Sequence, residues 1–317
     1  MSNREYRLTI LGLALVLALT GTAGLASELS DGAERILDGH SFTPSNYIDD
    51  PFVSTTLANN VGGGMAVNTA RPFYDLDGNL LFTYEGSIFF AALGLDFQQN
   101  LWETWAVRVA VEGLARAGTN MESILSEGAT VDTDFAISLK KRLIRSERAQ
   151  VSLGLDWGYS STTIFSLRSF AEHIGSGGSL ETAPLTSDNK IWKTLLSANT
   201  AYALAPGWGV RFNARGGIFE EPDFSNVSKA IYELNGMVDL DLKARTKVPL
   251  GLSLGYKWGS PSDNPHSGMS AALFGVWYTG KPDFTIGTEI GWWQRPVRNS
   301  EQDSDGVIAL ITLRYWF

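Results

Sequence analysis

Apolar and polar residues alternate along most of this chain. From Val151 to Tyr159, Val151, Leu153, Leu155, Trp157 and Tyr159 share one parity, and Ser152, Gly154, Asp156 and Gly158 share the other. A period of two places successive side chains on opposite faces of a β-strand. The same pattern predicts strands over Gly86–Gln98, Trp105–Leu114, Val131–Lys140, Leu196–Leu204, Val210–Ile218, Tyr232–Leu242, Leu250–Trp258, Phe274–Tyr278, Phe284–Trp292 and Gly306–Phe317. Within these stretches, Arg108, Glu112, Asp132, Asp134, Lys140, Asp156, Arg211, Arg215, Glu233, Asp239, Asp241, Lys257, Glu289 and Arg314 all lie opposite the aliphatic face. A charge facing lipid costs about 2–4 kcal/mol at mid-membrane. The sorting therefore has a physical cause if the apolar face meets a bilayer and the charged face lines an interior.

The connections alternate as well. Gln99–Glu103, Lys141–Ala149, Ala205–Gly207, Lys243–Val248 and Gly280–Asp283 are short. Ala115–Thr130, Ser161–Lys193, Phe219–Ala230, Gly259–Gly268 and Trp293–Asp305 are longer. Short turns on one side and long loops on the other describe an up-and-down transmembrane barrel. The direction count requires one more strand before Gly86. Val61–Phe73 supplies it, with Gly62, Gly64, Ala66 and Asn68 inward and Asp77-Gly78 as the hairpin turn. The fold class is all-β, an antiparallel up-and-down barrel of about twelve strands, with ten or fourteen as alternatives. Outward aromatics sort by height. Trp157, Tyr159, Tyr232, Tyr256, Trp258 and Trp292 fall at the long-loop end. Phe97, Trp105, Tyr202, Tyr278, Phe284, Tyr315 and Phe317 fall at the short-turn end. Two aromatic girdles around an aliphatic band fit a membrane-spanning sheet.

Both ends of the chain bear on compartment. The last strand alternates Val307, Ala309, Ile311, Leu313 and Tyr315 with Ile308, Leu310, Thr312, Arg314 and Trp316, and closes on Tyr315-Trp316-Phe317. This strand resembles the C-terminal signal of Gram-negative outer-membrane β-barrels. The resemblance implies that the strand closes the barrel and that the assembly machinery reads its terminal Phe317. At the other end, Arg4 and Arg7 precede the apolar run Thr9–Thr20, and Gly24-Leu25-Ala26 fits a cleavage site before Ser27. The run is shorter than the ~20 residues a spanning helix needs. The expected organisation is a cleaved signal peptide over 1–26, a periplasmic tail or lumen plug over 27–60, and the barrel over 61–317, in the outer membrane among its lipids. The polar stretch 27–60, with scattered Ile36, Leu37, Tyr47 and Phe52, favours the tail.

Composition narrows the field. Mean hydropathy is −0.04, and a barrel whose alternate residues face lipid has an average of this kind. Cysteine is absent, which suits an exported protein held by a closed hydrogen-bonded sheet instead of disulfides. A net charge of −9 with no basic cluster argues against nucleic acid.

The charged interior suggests a channel for passive passage of small polar solutes. The alternative is an interior zipped by salt bridges in a non-conducting structural or adhesive barrel. Arg215 and Glu233 are placed to pair across neighbouring strands. In the Ser161–Lys193 loop, Ile164, Leu167, Phe170 and Ile174 recur at helical spacing. Ser161 and Thr162 are available as caps and Gly175 as a stop, so a short helix is expected there. A third reading is a hydrolase at the rim. It would need one of His40, His173 or His266 beside a nucleophile, and no such constellation stands out. Asp75–Asn79 and Asp303–Gly306 resemble fragments of calcium loops but lack the spacing and the closing Glu. No catalytic residue, metal or cofactor is expected.

Overall fold

The structure, a computed structural model, describes residues 34–74, 80–119, 129–165, 179, 186–220, 228–261, 269–295 and 304–317. A small hairpin comes first, β1 (Ile36–Leu37) and β2 (His40–Ser41). Twelve long strands follow: β3 (Thr56–Tyr74), β4 (Leu80–Trp102), β5 (Trp105–Gly118), β6 (Ala129–Arg145), β7 (Ala149–Phe165), β8 (Thr186–Ala205), β9 (Trp208–Glu220), β10 (Ser228–Asp241), β11 (Leu250–Pro261), β12 (Met269–Tyr278), β13 (Phe284–Arg295) and β14 (Ser304–Trp316). A single turn of helix, α1 (Lys243–Thr246), lies between β10 and β11.

Each long strand pairs antiparallel with its neighbours in sequence, and β14 closes the sheet on β3. The closing seam runs from Trp316 opposite Thr56 to Asp305 opposite Val67. The strands span 10 to 23 residues, against the ~9–11 needed to cross the hydrocarbon. The longest, such as β4, therefore extend beyond the bilayer. Two expectations shift for this reason. The first barrel strand begins at Thr56, ahead of Val61. In the Ser161–Lys193 stretch, residues 161–165 continue β7 and residues from Thr186 onward belong to β8. The expected loop helix loses Ile164 to a strand, and Leu167, Phe170 and Ile174 lie outside the described residues, as do Asp77-Gly78, His173 and His266. The described helix is α1, in a short turn, where Lys247 stops it in the left-handed region at φ 63°.

The outer face is the apolar one. Val61, Leu93, Leu153, Leu196, Leu254, Phe274 and Ile311 all point out and are exposed. Of the girdle aromatics, Trp157, Tyr202, Tyr256, Trp292, Tyr315 and Phe317 are exposed on this face, and Trp105, Tyr159, Tyr232, Trp258 and Tyr278 are half-buried beside them. Neighbouring rings touch. Tyr232 and Trp258 lie 5.2 Å apart and Tyr159 and Trp192 4.4 Å apart. Phe97 departs from the expectation: it is buried between its register partners Leu57 and Val109.

Glycine on the inner face marks close approach. A Cβ on Gly287 would lie 2.4 Å from the Trp277 ring, and Trp277 is fully buried inside the barrel.

The outward band generates a prediction. Leu254, 63% exposed between Val238 and Phe274, sits where lipid tails are expected. Leu254→Lys should cost about 2–4 kcal/mol of stability, read as a lower urea midpoint for the heat-modifiable folded band in lipid vesicles.

Candidate functional site: the filled half of the lumen

The interior at the short-turn end is occupied by residues 34–55 of the same chain. The segment starts as a tight hairpin. Asp38 and Gly39 both have positive φ, 45° and 75°, which a two-residue turn between right-twisted strands requires. The turn pairs Leu37 with His40 and Ile36 with Ser41. Leu37, Phe42 and Phe52 then pack against Ala201 and Ala203 of β8. Gly209 of β9 leaves the space: a Cβ there would lie 2.4 Å from the His40 ring and 2.6 Å from that of Phe42. Further in, Ile48 packs on Met237, Ala271 and Leu273, with Tyr47 and Trp293 alongside. Sequence reading favours a tail for this stretch. The structure places it inside the barrel.

Between the two apolar contacts the segment is held by polar ones. Thr43 donates to Asp239, which also receives Arg211 at 2.8 Å. Ser45 Oγ and Asn46 N donate to the two oxygens of Glu289 at 2.6 and 2.7 Å, and Asn46 Nδ2 reaches Thr312 at 2.7 Å. Ser41 N donates to Asp241 at 3.3 Å.

Asp49 sits between two guanidinium groups, with Oδ1 2.8 Å from Arg108 and Oδ2 2.6 Å from Arg215. Lys140 donates to the carbonyls of Asp50 and Phe52 at 2.8 and 3.2 Å. Arg314 lies 3.8 Å from the Asp50 carboxylate. Nearest the rim, Glu34 meets Arg142 at 2.6 Å and Arg145 at 3.3 Å, while Arg35 stacks 4.4 Å over Trp316. A backbone–backbone bond joins the segment to the barrel at Thr55, whose carbonyl accepts from Phe317 N.

The fourteen inward charges read from the sequence thus divide by depth. Arg108, Lys140, Arg211, Arg215, Asp239, Asp241, Glu289 and Arg314 face the N-terminal segment in place of open water. Arg211 is 2% exposed, and Asp239 and Glu289 are 0%. Toward the long-loop end, Glu233 receives Arg215 and Lys257, both at 3.4 Å. Glu233 and Arg215 are direct register partners, the pairing the sequence suggests. Asp156 lies 3.7 Å from Arg215, Asp132 pairs with Arg116, and Glu112 stands opposite Asp134. Parity alone does not identify the partners from the N-terminal segment, Glu34, Ser45, Asn46, Asp49 and Asp50, since that segment has no strand periodicity. The dipeptide Asp38-Gly39 is a local signal that could have marked its hairpin. Asp96, on the inner face of β4, binds Arg108 at 2.8 Å and belongs to the same network.

Burial and charge shift two titrations in the segment. Burial pushes the His40 imidazole below its ordinary value, ahead of the opposing pull of Asp239 and Asp241. Burial alone would raise the Asp49 carboxyl, but Arg215 and Arg108 overcome it and hold Asp49 below the carboxylate range. His40 is the only histidine among the described residues. It lies in the hairpin at the short-turn end, and neither of its ring nitrogens has a hydrogen-bond partner. No group of three or more metal-ligating side chains occurs among the described residues.

Two predictions follow from these contacts. Arg211→Ala leaves the Asp239 carboxylate buried without its cation and should cost about 3–5 kcal/mol; the double variant Arg211→Met, Asp239→Leu should recover most of the loss of urea midpoint. His40 is neutral in place and free to protonate when the segment is out. Docking should therefore be firmest above pH ~6.5 and weaken as pH falls through that value. Hydrogen exchange over residues 36–42 at pH 7.5 and 5.5 reads the change, and His40→Asn should flatten that step.

No family model and no curated protein matches the chain. Solved structures do. An outer-membrane channel from Pseudomonas putida F1 superposes with a TM-score of 0.50 at 14% identity, covering 87% of this chain and 100% of that one. The translocator domain of the autotransporter NalP from Neisseria meningitidis gives 0.49 at 8%, covering 84% and 90%. The NanC porin gives 0.46 at 10%, covering 81% and 98%. With its closed ring of twelve antiparallel strands, apolar outside and charged within, the chain has the fold of the Gram-negative outer-membrane β-barrels.

Proposed function

We propose that the protein resides in the outer membrane of a Gram-negative bacterium and passes small polar solutes through its lumen, with residues 34–55 as a resident obstruction that sets how much passes. One observation carries this reading. The inner wall is charged along its depth, yet the segment filling its short-turn half is fixed mainly by side chains, with its backbone bonded to the barrel at Thr55 where β3 begins. A piece built into the sheet would be permanent, whereas one held by side-chain contacts can shift while the barrel stays closed. The short-turn end is then the periplasmic one, and the strand ending at Phe317 serves assembly.

A second reading has its own support. The complete burial of Asp239 and Glu289 under the segment is what a closed, structural barrel would show.

Planar-bilayer recording separates the two. Gly209→Leu puts a side chain where His40 and Phe42 sit and should displace the hairpin. The channel reading expects a small steady conductance from the natural chain and a several-fold larger one from this variant. Silence from both, each shown folded by its heat-modifiable mobility, would establish the structural reading in its place.

A further inference from the structure

The charges of the N-terminal segment are arranged asymmetrically against the wall. Three of its four carboxylates each lie between two wall cations, and the fourth, Asp38, pairs with Arg148 beside the β6–β7 turn. Glu34 lies between Arg142 and Arg145 of β6. Asp50 lies between Lys140 of β6 and Arg314 of β14. Asp49 gives one oxygen to Arg108 of β5 and the other to Arg215 of β9. The wall carboxylates that the segment touches, in contrast, receive hydroxyls and amides, from Ser41, Thr43, Ser45 and Asn46.

The three carboxylates form a series that leads from the short-turn rim inward. Beside it lies a cavity of about 30 Å³, lined in part by Asp49, Asp50, Arg108, Lys140 and Arg314. Arg314 is 8% exposed, and its Nε has no hydrogen-bond partner. Guanidinium pairs converging on a single carboxylate are a recognition geometry for carboxylate groups. Removing the segment would leave these cations facing each other with only their own wall acids, Asp96, Asp156 and Glu233, as partial compensation.

We infer that Glu34, Asp50 and Asp49 occupy the positions of a transported ligand's carboxylates, and that the solute class is small carboxylate-bearing anions, which pass by displacing this internal mimic. The inference rests on the channel reading above and deepens it.

The test uses the full chain and its Asp49→Asn, Asp50→Asn double variant in planar bilayers under a KCl gradient, with citrate as the probe. The variant should conduct several-fold more than the natural chain. Its reversal potential should favour chloride over potassium by about threefold, and millimolar citrate should cut the current by half or more. A steady current that prefers potassium, or that citrate leaves unchanged, overturns the anion assignment and leaves the channel standing. No current from either folded chain overturns the channel reading and this inference with it. If the double variant does not fold, the natural chain decides. Citrate should speed amide hydrogen exchange over residues 36–52 by about threefold or more through competition for Arg108 and Arg215, and unchanged exchange in saturating citrate overturns the proposal.

Discussion

The seam between β14 and β3 is the constraint on which everything else depends. A bilayer core offers no water to an unpaired N–H or C=O, so a sheet within it must close on itself. Here the last strand of the chain meets the first strand of the barrel along an unbroken register from Trp316 and Thr56 to Asp305 and Val67. Once closed, the sheet divides side chains into two populations by parity alone. The outer set must be apolar to sit in lipid, and the inner set is released from that demand. The charges of the lumen are a consequence of closure as much as a functional feature.

What fills the released space is governed by a different balance. Buried charges are tolerated when each finds a partner. The N-terminal segment supplies partners that the wall lacks, in the form of Thr43 for Asp239, Ser45 and Asn46 for Glu289, and Asp49 for Arg108 and Arg215. Two apolar contacts, Phe42 with Phe52 below and Ile48 above, hold the segment at the depth where those polar partners align. Gly209 and Gly251 on the wall accommodate His40, Phe42 and Thr43 at closer range than any larger residue would allow.

The sheet was legible in the sequence because its physics is local. A strand such as Val151–Ser160 shows its two faces in ten residues, and the charges keep to one of them. The cross-strand pair Arg215 and Glu233 was legible for the same reason, since a hairpin sets their register. The lodged segment was not. Ser45, Asn46, Asp49 and Asp50 read as a solvated tail, because polar residues without periodicity usually are one. Their partners stand far away in the chain, with Ser45 and Glu289 separated by 244 positions. No local pattern encodes such a pairing. The helical spacing in Ser161–Lys193 is trimmed at its start: Ile164 sits at a helical interval from Leu167 but belongs to β7, while Leu167, Phe170 and Ile174 lie outside the described residues.

The path of the segment has a mechanical consequence. It rises from Glu34 at the rim to Tyr47 and Asp49 and comes back to Thr55 at the same rim, where β3 begins. Both of its ends lie on one side, so it can be withdrawn without threading any chain through the barrel and without parting any pair of wall strands. A pull on the chain ahead of Glu34 would load its contacts one after another, first Arg142, then the hairpin, then the Asp239 and Glu289 clusters. Attachments broken in series yield to a small force even when their sum is large. The segment can thus be well held at rest and still be drawn out from one end by a weak, directed tug.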